Sequence, residues 1–206
     1  MKRLSLVLTL LSGVILDMPC LAAEHVFGLD WQATPTQLRA KGIQLKLRKT
    51  DGRLSMYKAD SLPRNVSDAE WYLLIFDKDE GLVKVNMATR NFTNDADGAH
   101  GKQRFDQLDT LLHQRGYTSI KGQQVEQVEQ VGQAASQGSH ACLAQPGCGT
   151  WKAAYRKNHV LVSMQLRGMP QGAGFIVMNF QEQPQFSQAL KKNHKPDAMQ
   201  KDAQAF

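Results

Sequence analysis

The sequence predicts an α+β protein in which a helix followed by antiparallel strands occurs twice. In each half, a segment with helix end signals precedes segments whose apolar and polar residues alternate. Short turn sequences join these segments, and the clearest is Asp51-Gly52, a typical hairpin turn. We therefore expect one or more antiparallel sheets with two main helices packed on one face.

The first helix is marked at both ends. Thr34 can cap it, Pro35 suits the first helical position, Gln37 can complete a capping box, and Gly42 ends it. The predicted helix has only about two turns, so tertiary packing must hold it, because helix nucleation is costly.

Strand signals follow this helix. The run WYLLIF is continuously apolar, which predicts a buried strand. The predicted segments are strands at 43–49, 54–56, 71–76 and 82–92, turns at 51–52 and 77–81, and a loop at 60–69.

The second half begins with the clearest helix, at residues 102–116. Phe105, Leu108, Leu111 and Leu112 form its apolar stripe, and Gly116 supplies the stop. Strands are predicted at 151–155, 160–166 and 175–180, loops at 93–101 and 168–174, and a glutamine-rich helix or linker at 121–139. The glycines of the 168–174 loop are interpreted as a turn, because no helix opens after them.

The first residues have the layout of a secretory signal peptide. A basic start precedes a short apolar run, and small residues at Ala22-Ala23 fit a cleavage site. The apolar run is shorter than the roughly 20 residues that span a bilayer, so we expect no transmembrane segment after cleavage. Cys20 follows Asp17-Met18-Pro19 rather than a lipoprotein triplet, which assigns it to the removed peptide. A retained anchor and a lipoprotein are the alternatives.

These signals predict a periplasmic or secreted bacterial protein with one folded domain. The expected organisation is a signal peptide at 1–22, a single α+β domain at 23–184 with halves at 23–95 and 96–184, and a polar flexible tail at 185–206.

The chain is basic, with 25 Lys and Arg against 19 Asp and Glu and a formal charge of +6. A basic surface favours anionic partners. Since an exported protein rarely meets nucleic acid, such a partner would be an acidic protein, anionic lipid or lipopolysaccharide. The favoured interpretation of the charge is nevertheless a merely solvated basic surface.

The stretch HACLAQPGC, residues 140–148, holds two of the three cysteines. Without Cys20, Cys142 and Cys148 form an even pair in an exported chain, which predicts a disulfide. A redox pair usually has two intervening residues, whereas five lie here. Zinc would need ligands beyond His140. Metal and redox sites remain the alternatives.

The closed loop is also a candidate contact surface. Its predicted partner-contact residues are His140, Leu143, Gln145 and Pro146. Some lysozyme inhibitors insert a short disulfide-closed loop into an enzyme cleft, and by this analogy the loop would be the plug.

The sequence contains no motif of a common catalytic site. The six histidines form no zinc-protease pair, and there is no nucleophile elbow, phosphate-binding loop or dinucleotide fingerprint. The acidic loop at 93–101 fails as a calcium loop, because Thr93 and Arg104 occupy the first and twelfth positions. We therefore expect no catalytic, cofactor or metal site, with a hydrolase triad built from distant residues as the alternative.

Two segments carry a family resemblance, FGLDWQATPTQL and KQRFDQLDTLLHQRGY. They resemble small exported bacterial α+β proteins with the architecture of the β-lactamase-inhibitory protein and of SmpA/OmlA-type outer-membrane assembly lipoproteins. The shared positions, Phe27, Gly28, Trp31, Phe105 and Leu108, are packing positions. The resemblance implies a non-enzymatic binding protein of the cell envelope.

The expected function is recognition of another envelope macromolecule through the sheet face or loops. The alternatives are an inhibitor or immunity protein that inserts loop 140–148 into an enzyme cleft, and a periplasmic hydrolase.

Overall fold

The computed structural model describes residues 25–120, 138–145, 148–169 and 172–193. Their helices and antiparallel sheets confirm the predicted α+β class. The strands are β1 (His25–Val26), β2 (Leu29–Asp30), β3 (Lys46–Asp51), β4 (Leu54–Ala59), β5 (Ala69–Asp77), β6 (Gly81–Thr89), β7 (Thr118–Ser119), β8 (Trp151–Lys157), β9 (Val160–Gly168) and β10 (Gly174–Glu182). The helices are α1 (Pro35–Ala40), α2 (Ala99–Gln114), α3 (Ser139–Leu143) and α4 (Gln185–Asn193). The predicted signal peptide lies outside the described residues.

The main sheet has eight strands in the order β3-β4-β5-β6-β10-β9-β8-β7, and β1 and β2 form a separate pair. Each half of the chain contributes four consecutive strands to it. Strands β6 and β10, each the last strand of its half, pair antiparallel at the centre of the sheet. The order of one helix and four sheet strands thus occurs twice, as α1 with β3 to β6 and as α2 with β7 to β10.

Helix α1 has the predicted capping box. The amide of Gln37 donates to the Thr34 hydroxyl, and the Gln37 side chain accepts from the Thr34 amide at 2.8 Å. Leu38 is fully buried in the core, which supplies the packing that so short a helix needs.

One face of the sheet, which we call the inner face, carries the hydrophobic core. Phe105, Leu108 and Leu112 of α2 lie in this core with Leu38 of α1. Phe27 also packs here, edge-to-face with Tyr72 and Phe180. The main strand contributions are Tyr72, Leu74, Phe76, Val85, Met87, Val162, Met164, Leu166, Ile176, Met178 and Phe180. The two predicted helices therefore pack on the same face.

Two segments differ from the sequence prediction. Helix α2 begins at Ala99, inside the predicted loop, because the Asp95 carboxylate accepts the amides of His100 and Gly101 and so caps the first turn. Residues 185–193 of the predicted tail form α4, which packs on β6 and β10 and buries Ala189 completely. The remaining tail, 194–206, and most of the helix-or-linker segment, 121–137, lie outside the described residues.

Candidate interaction surface

The opposite face of the sheet, which we call the open face, is formed by the outward side chains of the strands. Its central row across six strands is Lys58, Leu73, Asn86, Asn179, Ser163 and Ala154. One flanking row is Met56, Ile75, Lys84, Gln181, Leu161 and Arg156, and the other is Trp71, Ala88, Val177, Gln165 and Lys152. Of the helices in the described part of the chain, only α4 packs on this face.

The apolar run of β5 is less buried than its composition predicts. Tyr72, Leu74 and Phe76 point into the core, whereas Trp71 and Leu73 are half-buried on the open face. Phe175 and Val177 of β10 are likewise half-buried. The prediction of a strand buried throughout is therefore wrong for Trp71 and Leu73.

The sequence predicts a sheet face as a contact surface but not the partial exposure of Trp71 and Leu73. A continuous apolar run predicts cover on both faces only if enough helices exist to supply it. Both clearly predicted helices lie on the inner face. The small number of predicted helices was therefore the sequence signal that the other face could be left partly uncovered.

Uncharged polar side chains lie at the middle of the open face. Asn86, Asn179 and Ser163 are cross-strand neighbours on β6, β10 and β9. The Asn179 amide donates to the Ser163 hydroxyl at 3.0 Å. The buried Oδ1 of Asn86 accepts no hydrogen bond from any described residue. The centre of the face therefore offers directional hydrogen-bonding groups between apolar neighbours.

Most of the basic side chains lie nearer the two ends of the open face. They are Lys46, Lys49 and Lys58 on β3 and β4, and Lys152, Arg156 and Arg167 on β8 and β9. The neighbouring carboxylates are paired, Asp51 with Lys49, Asp60 with Lys58 and Asp77 with Arg53. The open face is therefore basic toward its ends.

Lys84 is the basic residue nearest the centre, and α4 partly covers it. Its Nζ lies 4.9 Å from the centroid of the Phe186 ring, a cation–π contact. Burial lowers the pKa of the Lys84 ammonium group. Helix α4 is held there by a second contact, in which Lys192 Nζ lies 2.9 Å from Glu80 Oε1.

The predicted disulfide between Cys142 and Cys148 is confirmed, with Cα atoms 5.3 Å apart. Leu143 is half-buried and packs against the core, and Gln145 is exposed. Pro146 lies outside the described residues. The loop therefore begins as helix α3, which packs on β9.

His140 does not fit its predicted role as a partner contact, because its side chain is completely buried. Its Nε2 lies 2.8 Å from Oδ2 of Asp95, which is also buried. The ring of Phe92 stacks parallel to the imidazole at 6.5 Å. His140 instead fixes α3 to the loop that caps α2.

Hydrogen bonds control the charge of Asp95. Burial by itself would raise the pKa of this carboxyl group. The amide of His100, the side chain of His140 and the amide of Gly101 all donate to it, and together they hold its pKa below the usual value.

Glycines make room for His140 between the strands. A Cβ at Gly174 would lie 2.3 Å from Cε1 and Nδ1 of His140, and a Cβ at Gly168 would lie 1.7 Å from its backbone oxygen. Both glycines lie in strands, so the prediction that they form a turn is wrong. They allow α3 to approach the sheet closely.

One exposed cluster has side chains of the type found in a hydrolase triad. His113 Nε2 lies 3.1 Å from the Ser119 hydroxyl. However, His113 Nδ1 lies closer to the backbone oxygen of Asp109, at 2.9 Å, than to its carboxylate, at 3.4 Å. The Tyr155 hydroxyl donates to that carboxylate at 2.6 Å. This geometry fastens the end of α2 to β7 and β8 and leaves the imidazole poorly oriented by the carboxylate.

A second carboxyl group is buried at the end of β10. Glu182 Oε1 lies 3.4 Å from the Gln32 amide nitrogen and 3.3 Å from His159 Nε2. Burial raises the pKa of Glu182, although nearby His159 and the Gln32 hydrogen bond oppose this effect.

Among the described residues, no three His, Cys, Asp or Glu side chains come close enough together to hold a metal ion. The helices of the described segments are all too short or too polar to cross a membrane. No protein-family model, curated protein or solved structure matches the chain.

Proposed function

We propose that the protein is a non-enzymatic binding protein of the bacterial cell envelope, and that it recognises another envelope macromolecule through the open face. The observation that carries this proposal is the placement of Trp71, Leu73, Phe175 and Val177 on a sheet face that only α4 covers among the described helices. Contiguous apolar groups of this kind are typical of interaction sites.

The envelope location is supported by the signal-peptide layout of residues 1–22 and by the disulfide. Disulfides form and persist mainly in oxidising compartments such as the periplasm.

Inhibition of an enzyme by loop 140–148 is the alternative within binding. Of the predicted contact residues that the structure describes, only Gln145 is exposed, whereas His140 is buried and Leu143 packs against the core. The open face presents several half-buried apolar side chains, which supports the sheet over the loop.

Site-specific photo-crosslinking in the native bacterium tests the choice between these surfaces. p-Benzoylphenylalanine is placed in place of Leu73 on the open face, or in place of Gln145 in the loop. Leu111 is the matched control, because this apolar residue of α2 is 48% exposed and lies on the helix side of the sheet. Thermal unfolding of each purified variant checks that it is folded.

We expect a discrete adduct from position 73 that position 111 does not give. An adduct from position 145 alone would support the inhibitor function. The absence of a discrete adduct from both positions, in variants that fold, would contradict both binding functions.

The hydrolase alternative has its own test. We expect a fluorophosphonate probe, which labels activated serines, to leave Ser119 unmodified, because His113 is held mainly by a backbone oxygen. Labelling of Ser119 that is lost in His113→Ala would contradict a purely non-enzymatic function.

A further inference from the structure

We infer that the partner of the open face is a protein whose contact surface has acidic residues around an apolar centre. This inference rests on the proposed function and adds the chemical class of the partner. It is carried by the arrangement of charged, apolar and amide side chains on the open face.

The ends of the face hold more basic groups than the carboxylates beside them compensate. Lys46 lies directly opposite Lys58 on the neighbouring strand, an unfavourable like-charge pair. Lys58 pairs with Asp60, and Lys46 also attracts this carboxylate, so the β3–β4 end is partly compensated. Arg156 and Arg167 are exposed and form no ion pair within the described segments. An acidic partner would pair with Arg156 and Arg167 at the β8–β9 end of the face.

The centre has the opposite character. Leu73 lies at the end of the row of Asn86, Asn179 and Ser163, and Trp71 and Val177 lie in the row beside it. An apolar, aromatic centre with few charges and a charged rim is the typical composition of a protein–protein interface. The Asn179 and Ser163 side chains remain accessible and add hydrogen-bonding groups, which a protein backbone or side chain can pair.

The size of the face agrees with a protein partner. From β3 to β8 there are six strand spacings, on the order of 30 Å, since neighbouring strands lie about 4.8 Å apart. With strands of about eight residues at roughly 3.3 Å each, the whole sheet face has an area on the order of 700–800 Å², of which α4 covers a part. A standard interface buries roughly 800 Å² on each partner.

The same arrangement disfavours the other occupants. A second copy bound face to face would place basic ends against basic ends or against an uncharged centre, without acidic groups to pair them. Nucleic acid binding depends on cations that follow closely spaced phosphates, whereas the ends of this face are separated by a mainly uncharged centre. Anionic lipid would match the cations but not the ordered amide row.

Charge reversal combined with the crosslinking at position 73 tests the inference. The open-face variant is Arg156→Glu with Arg167→Glu. The control is Arg64→Glu with Arg115→Glu, two exposed residues that are not on the open face, so both variants change the net charge equally. The adducts are digested with protease, and the captured protein is identified, purified and titrated against both variants at rising salt.

We expect a protease-sensitive adduct with an acidic protein, about ten-fold weaker binding for the open-face variant, and little change for the control. Binding should also weaken as salt rises. An adduct with lipid, glycan or nucleic acid would overturn the inference but leave the proposed function standing. A protein partner whose binding ignores the open-face reversal would overturn it as well, whereas no adduct at all contradicts the proposed function itself.

Discussion

Nε2 of His140 lies 2.8 Å from Oδ2 of Asp95, and both side chains are buried although 45 residues separate them in sequence. The Asp95 carboxylate also accepts the amides of His100 and Gly101. One carboxylate therefore joins three segments: the loop before α2, the first turn of α2, and α3. It fixes the disulfide-closed loop against the sheet.

We expect Asp95→Asn to lower the free energy of unfolding by roughly 2–4 kcal/mol, because it weakens a buried, charge-assisted network. Urea unfolding at neutral pH measures this loss. Asp97→Asn is the matched control, since Asp97 is exposed and its carboxylate accepts the Ala99 amide at 3.1 Å. Equal effects of the two substitutions would contradict the proposed role of Asp95.

The same carboxylate makes stability depend on pH. Its pKa in the folded protein lies below the usual value of about 3.9. The stabilisation is therefore complete above that usual value and is lost as the pH falls through the lower, folded-state pKa. Stability of the native protein should fall below about pH 4 more steeply than that of Asp95→Asn.

We expect Gly174→Ala to destabilise the protein by roughly 1–3 kcal/mol, because the new methyl group would overlap the His140 ring. In His140→Ala the ring is absent, so adding Gly174→Ala should then cost much less. A double-mutant cycle by urea unfolding measures this coupling. Additive effects of the two substitutions would show that Gly174 does not act by making room for His140.

The sequence predicts most of the fold because its signals are local. The capping box at Thr34 and Gln37 and the hairpin turn predicted at Asp51-Gly52 each depend on neighbouring residues. The structure has the capping box, and its hairpin turn lies one residue later, at Gly52-Arg53. The disulfide follows from cysteine parity. The burial of His140 depends on a distant partner, Asp95, so no local pattern predicts it.

The open face could be predicted only in part for the same reason. The alternation along β9 and β10 gives the strands and their two faces, but a strand pattern contains no information about which face the helices cover. Helix α4 forms at the start of the predicted tail, and its position on the sheet depends on contacts such as that of Lys84 with Phe186.

Removal of the disulfide, by Cys142→Ser with Cys148→Ser, should lower the free energy of unfolding by roughly 2–2.5 kcal/mol, as expected for closing so short a loop. Urea unfolding with and without reductant measures it. Reductant should destabilise the native protein by the same amount and have no effect on the double variant. If reductant also destabilised the double variant, the effect of reductant would not come from the Cys142–Cys148 disulfide.

Glu182→Gln is expected to stabilise the protein at neutral pH, on the order of 1 kcal/mol, because it replaces a buried carboxylate with a neutral group of the same shape. Burial raises the pKa of Glu182, so the folded state binds its proton more tightly than the unfolded state does. The cost of ionisation is therefore absent below the unfolded-state pKa of about 4.3, and it grows until the pH exceeds the folded-state pKa. The gain from Glu182→Gln should accordingly be smaller at pH 4 than at pH 7 in urea unfolding.

Glu70→Gln, at an exposed position of β5, is the control and should change stability little at either pH. A loss of stability at pH 7 in Glu182→Gln alone would show instead that the ionised carboxylate, through His159 and Gln32, stabilises the end of β10.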